Sequence, residues 1–188
     1  MNTSPRNQTA PAGAFGPVLA PDPERMASMD SFMSSAKDAV PLRLLVPINA
    51  NDDSRWGIRY ALRRQREGLA VEVILLNVGE AITQWEVLRF RTQQEISRFQ
   101  EQSAQSFIGE ATAPLMTANI PCRGVFRQGD VVFSILDSAE EFACGEIVMP
   151  RPQEGLSSCF SRNIVRAVMR AQRDVPIVAV DGDGIPIV

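Results

Sequence analysis

Histidine is absent from the 188 residues, and lysine occurs once, at Lys37. Without histidine the chain lacks the commonest general base, the usual proton shuttle and the principal transition-metal ligand. Ser–His and Cys–His nucleophilic pairs are excluded within one chain. Cysteine is scarce and scattered: Cys122, Cys144 and Cys159 form no C-x-x-C pair and no even set. That pattern argues for free thiols in a reducing compartment, with the cytoplasm the expected location, rather than a disulfide framework or a zinc site. No apolar run approaches the ~18–20 residues of a spanning helix, and the N-terminus lacks the apolar core of a secretory signal, so no membrane partner is expected. A net charge of -3 and a pI of about 5.1 supply no global positive field, so no nucleic-acid partner is expected either.

What the chain does have is an ordinary globular composition, 45% apolar and 22% charged, enough to bury a core. Residues 1–40 stand apart. Pro5, Pro11, Pro17, Pro21 and Pro23 lie among Ala, Ser and Met, a mixture that buries too little apolar surface to offset its ordering entropy. This stretch is expected to be a flexible arm. Within it, Met26, Met29, Phe32 and Met33 recur near helical spacing, leaving open a short helix that contacts the domain or a protein partner.

From Leu42 the pattern changes. Leu42 to Ile48 is a short apolar run of the kind found in strands buried on both faces. A polar turn over Asn49 to Asp53 follows, with Asp52 or Asp53 expected to cap a helix from Ser54 to Arg66, and Trp56, Tyr60 and Leu62 facing inward. Gly68 closes that helix. Its five arginines, interleaved with Glu67, suit a solvated outer face or a surface for an acidic partner. Val71 to Val78 predicts a second strand. Thr83 to Ala118 predicts a long helix with Trp85, Leu88, Ile96, Phe99 and Phe107 in the core and Pro114 ending or kinking it. Gly124 to Arg127 predicts a strand, and Gly129-Asp130 opens a helix through Phe142. Glu146 to Met149 is a further strand, Arg151 to Ser158 a loop, Ser161 to Gln172 a helix, and Pro176 to Val180 the last strand. Alternating strands and helices predict an α/β fold: an open five-stranded parallel sheet with helices on both faces, Rossmann-like, over residues 41–181. Ligands of such sheets bind outside the carboxyl ends of the strands, which draws attention to the turns after Ile48 and Met149.

Leu45-Val46-Pro47-Ile48 with its polar turn, Gly129-Asp130 opening a helix, Glu146 to Met149, and Val175 to Val180 together resemble the universal stress protein family. The resemblance runs from Leu42 to Asp181. It implies a stress-associated regulatory module. In members that bind ATP, a loop after the fourth strand reads G-x-x-G, then, after a spacer, G followed by Ser or Thr. Glycines let backbone N–H groups approach the phosphates, and the hydroxyl sits at a helix N-terminus. At the matching positions this chain has Pro150, Gln153, Asn163 and Ile164. Proline removes an N–H, glutamine puts a side chain where backbone must approach, and isoleucine replaces a donor with an alkyl group. Each change is expected to cost about 1–3 kcal/mol of binding, enough together to abolish a micromolar site. The family's aspartate at the end of the first strand is matched by Asn49, which keeps the shape and loses the charge.

The resemblance therefore implies a non-catalytic interaction module with no cofactor, no catalytic residue and no metal. The alternative is a nucleotide sensor with a rebuilt loop, in which Asn49 meets the base of ATP or AMP while Gln153, Ser157, Ser158, Arg162 and Asn163 surround the phosphates. Arg151, Gly155 and Ser161 lie in the same stretch; Cys159 there is read as a small loop hydrophobe rather than a reactive thiol. Residues 182–188 carry Asp-Gly turn signals followed by Ile185-Pro186-Ile187-Val188, a possible edge strand. In the resembled family the last strand pairs with its copy, which implies a homodimer through Pro176 to Val180 and the tail.

Overall fold

The computed structural model describes residues 40–80, 92–152 and 161–187. The expected arm, apart from Val40, lies outside these residues, as do Trp85 and Leu88. Residues 40–188 form one compact unit.

The strands are β1 (Leu42–Pro47), β2 (Val71–Gly79), β3 (Cys122–Gln128), β4 (Glu146–Pro150) and β5 (Ile177–Val180). Helices α1 (Trp56–Arg66), α2 (Gln93–Thr117), α3 (Val131–Glu141) and α4 (Ser161–Arg170) alternate with them. The sheet order is β3-β2-β1-β4-β5 and every pair is parallel. This is the expected doubly covered α/β sheet. Because side chains alternate along a strand, β1 feeds two cores. Leu44 and Val46 join Ile58, Tyr60 and Ala61 of α1 and Ala111 and Leu115 of α2 on one face. Leu45 turns the other way, toward Ile135 and Ala139 of α3 and Val165 and Val168 of α4.

Local chemistry accounts for most helix boundaries. Thr92 opens α2 with a reciprocal capping box to Glu95, and Asp130 caps α3 by accepting from the Phe133 N–H at 2.8 Å. Gly68, at φ +89, reverses the chain after α1 as expected.

Four expectations are corrected. Neither Asp52 nor Asp53 caps α1: both belong to a 3-10 turn, Asp52–Arg55, that precedes it, and Asn51 at its start makes no side-chain cap bond. Phe99 is 70% exposed rather than in the core, because it lies on a different face of α2 from buried Ile96, Ala104 and Ala111. Pro114 neither ends nor breaks α2, which runs on to Thr117; near a helix C-terminus the proline forfeits a single hydrogen bond. The tail forms no strand, only one antiparallel bridge, Val180↔Pro186.

That bridge folds the tail back on β5. Asp181 and Ile187 N–H donate to Ile185 and Ala179 carbonyls at 3.0 and 2.8 Å. The Asp181 carboxylate accepts from the Ile185 and Asp183 N–H groups, which hold its carboxyl below the usual value. Gly184, at φ +73, rests on α1 so closely that a Cβ there would lie 2.5 Å from Tyr60 N.

Candidate functional site at the carboxyl edge of the sheet

Strand order reverses between β1 and β4, and there the sheet opens. Their pairing is confined to Leu44↔Glu146 and Leu45↔Ile147. The Gly145 N–H donates to Arg43 O, so the odd residues of β1 face β4. Ile147 and Arg151 N–H groups donate to Pro176 and Val180 carbonyls, so the even residues of β4 face β1. Pro47 and Pro150 therefore stand where each strand would donate to the other, and neither has an N–H. Two prolines explain why the seam parts here. Pro150 itself is buried at the end of β4, opposite Val180.

The turn after β1 is internally satisfied. Asn49 Oδ1 accepts from the Asn51 N–H at 2.8 Å, an Asx turn. The Asn49 N–H donates to Ser54 Oγ at 3.2 Å, and that buried hydroxyl donates to Asn51 O at 2.7 Å. One strand over, buried Asn77 donates through Nδ2 to Ile48 O at 2.8 Å, tying the ends of β1 and β2. Asn49 thus has its side-chain amide N–H groups and one Oδ1 lone pair left for a ligand.

A cavity of about 410 Å³ lies beyond the strand ends, lined by Glu80, Gly129, Asp130, Val131, Val132 and Ile164. It joins the end of β2, the cap of α3 and the first turn of α4. Among the described residues its charged groups are both carboxylates, and Ile164 packs half-buried against the α3–α4 core. Replacing Asp130 with alanine should lower stability by about 1 kcal/mol through loss of the cap, seen as a lower urea midpoint.

The structure brings together only part of the expected set. Ile164 lines the cavity, while Asn163 is an exposed residue of α4 and Asn49 lies outside the lining. Gln153, Ser157 and Ser158, with Gly155 and Cys159, fall outside the described residues. Arg162 is placed in α4 by its backbone alone. Asn77, Glu80 and Asp130 were not expected at this edge. The signal for Asn77 was present, a lone amide inside the apolar run of β2, whereas nothing in sequence aims Glu80 at α4. Among the described residues no cluster of His, Cys, Asp or Glu is arranged to hold a metal, and no helix is long and apolar enough to cross a membrane. Cys122 and Cys144 are free, and burial pushes the Cys144 thiol up to about 11.

Solved structures share this architecture. A universal stress protein from Archaeoglobus fulgidus superposes with a TM-score of 0.61 at 18% identity, over 77% of this chain and 52% of that one. The fold is that of the universal stress proteins. A family protein from Burkholderia pseudomallei matches at TM-score 0.56 and 15% identity, over 74% of this chain and 95% of its own. An Arabidopsis thaliana universal stress protein family protein with AMP bound matches at 0.51 and 11%, over 75% and 92%. No protein-family model matches the chain, and no curated protein matches it in sequence.

Proposed function

We propose that this protein is a non-catalytic regulatory module of universal stress protein type that works by protein contact and holds no ATP in the carboxyl-edge crevice. One observation carries the reading. Ile164, at the position the resemblance assigns to a phosphate-binding hydroxyl, packs into the core and faces a cavity whose charged groups among the described residues are Glu80 and Asp130. A phosphate there gains no donor from Ile164, and the two exposed carboxylates add a repulsion that solvent screens. The missing histidine supports the absence of catalysis, and free thiols suit the cytoplasm.

Assembly as a homodimer through β5 and the tail belongs to the same reading. Ile185 and Ile187 are 41% and 43% exposed at that edge, an apolar surface suited to a second copy. The tail already occupies the outward groups of Ala179 and Asp181, so a copy meets the tail first. Sedimentation should give a dimer mass, shifted toward monomer by Ile187→Asp. Protein contact through residues 1–39 is the other element, tested by comparing pull-downs of the full chain and a chain starting at Val40.

The second reading, a nucleotide sensor using Asn49, Gln153, Ser157, Ser158, Arg162 and Asn163, draws on the AMP-bound neighbour. Denaturing the purified protein should release no adenine nucleotide. ATP should raise the melting temperature no more than equimolar inorganic triphosphate, and AMP no more than phosphate. Stoichiometric nucleotide, or a saturable effect of the adenosine part, overturns the first reading in favour of the second.

A further inference from the structure

The arginines of α1 have different surroundings. Arg55 pairs with Glu110 at 2.5 Å and Asp52 at 3.5 Å. Arg64 lies over the Tyr60 ring at 5.5 Å and reaches Glu67 and Glu146. Arg59, Arg63 and Arg66 instead follow one another at i, i+4 and i+7 on one helix face. With Leu62 and Asp183 of the tail they line a cavity of about 250 Å³. Arg63 Nε is 3.0 Å from Glu67, a carboxylate also shared with Arg64 at 3.3 Å. Arg59 donates through Nη1 to the Gly182 carbonyl, and Arg66 has no ion pair among the described residues.

We propose that this cleft binds a small phosphate-bearing anion. In a chain of net charge -3, three guanidinium groups converge on one concave site with Asp183 the only acid in its lining among the described residues. Guanidinium forks match phosphate oxygens in pairs, and a concave site holds them closer to a ligand than a flat solvated face does. Leu62 adds apolar surface to the lining. The tail sets the opposing terms: its Gly182 carbonyl competes for Arg59, and the Asp183 carboxylate repels the ligand. This cleft lies along the outer side of α1, apart from the carboxyl-edge crevice, and does not depend on the reading given to that crevice.

The test is calorimetric titration of the full chain with pyrophosphate, at ionic strength matched with sodium chloride so that screening is constant. Saturable binding is expected, weakened at least about tenfold by Arg66→Gln with an unchanged melting temperature, and tightened severalfold by Asp183→Asn. Arg63→Gln should weaken it similarly. Absence of saturable heat, or equal affinity in Arg66→Gln and the unaltered chain, overturns the proposal. ATP arms separate the two sites. ATP and pyrophosphate binding lost together in Arg66→Gln supports the cleft. ATP binding that persists while pyrophosphate binding is lost also supports the cleft, and overturns the ATP-free reading of the crevice.

Discussion

Replacing Leu45 with alanine should remove about 3–5 kcal/mol of stability. Leu45 is fully buried in the central strand β1 and packs among Ile74, Ile135, Ile147 and Met149. Its strand is held on both sides by β2 and β4, so the backbone cannot sink into the space left behind. A cavity that cannot collapse forfeits both the transfer energy and the contacts of its walls. Since a domain of this kind holds ~5–15 kcal/mol in all, the variant should lose a large share of its urea midpoint with little change in slope. Leu69→Ala, at a position 40% exposed, is the control and should stay within about 0.5 kcal/mol. A Leu45→Ala loss below about 1 kcal/mol would mean that α3 and α4 do not close on this face as described.

Alkali should destabilise the protein, and the share carried by Tyr60 can be isolated. Tyr60 is the sole tyrosine, 3% exposed, and its hydroxyl donates to Glu146 Oε2 at 2.8 Å. Burial, the bond to Glu146 and that carboxylate's charge push its pKa up to about 12. The folded state therefore holds the phenol proton more tightly than the unfolded chain, whose tyrosine titrates near 10. The resulting stability is complete below pH ~10 and is lost as pH rises toward ~12, with a total on the order of 2–3 kcal/mol. Phenolate absorbance reports the titration without interference from other tyrosines. Unfolding free energy measured across that range should fall in the unaltered chain and fall less in Tyr60→Phe. The raised Cys144 thiol acts in the same direction and remains in both proteins, so the difference isolates Tyr60. A phenol that titrates at its ordinary value in the folded protein would contradict the buried Tyr60–Glu146 bond.

The carboxyl-edge crevice shows how far residue spacing reaches. Pro150, Gln153, Asn163 and Ile164 could be placed against a phosphate-loop pattern because strand and helix ends carry local marks. Their consequences were only partly legible. That Ile164 would lack a donor followed from its chemistry alone. That it would share a cavity with Glu80 and Asp130 did not, since those residues sit 84 and 34 positions earlier in the chain. Asn49 is similar: an asparagine after a strand reads equally as a ligand donor or an Asx turn, and the Asn51 N–H decides for the turn.

By itself the sequence determined the alternation of strands and helices, the cap at Asp130, the turn at Gly68 and the absence of histidine chemistry. Each depends on residues within a few positions of one another, or on composition, and needs no tertiary contact to be read. Only the tertiary structure decided that Phe99 faces solvent, that Pro47 and Pro150 meet across the parting seam, and that the tail returns over β5 to rest on α1. It also sorted one arginine-rich helix into paired, stacked and cleft-lining residues. The periodicity of α1 states which arginines share a face, but not what packs against that face. Here Gly184, bare of a side chain, lets the tail approach α1 and brings Asp183 to Arg59, Arg63 and Arg66.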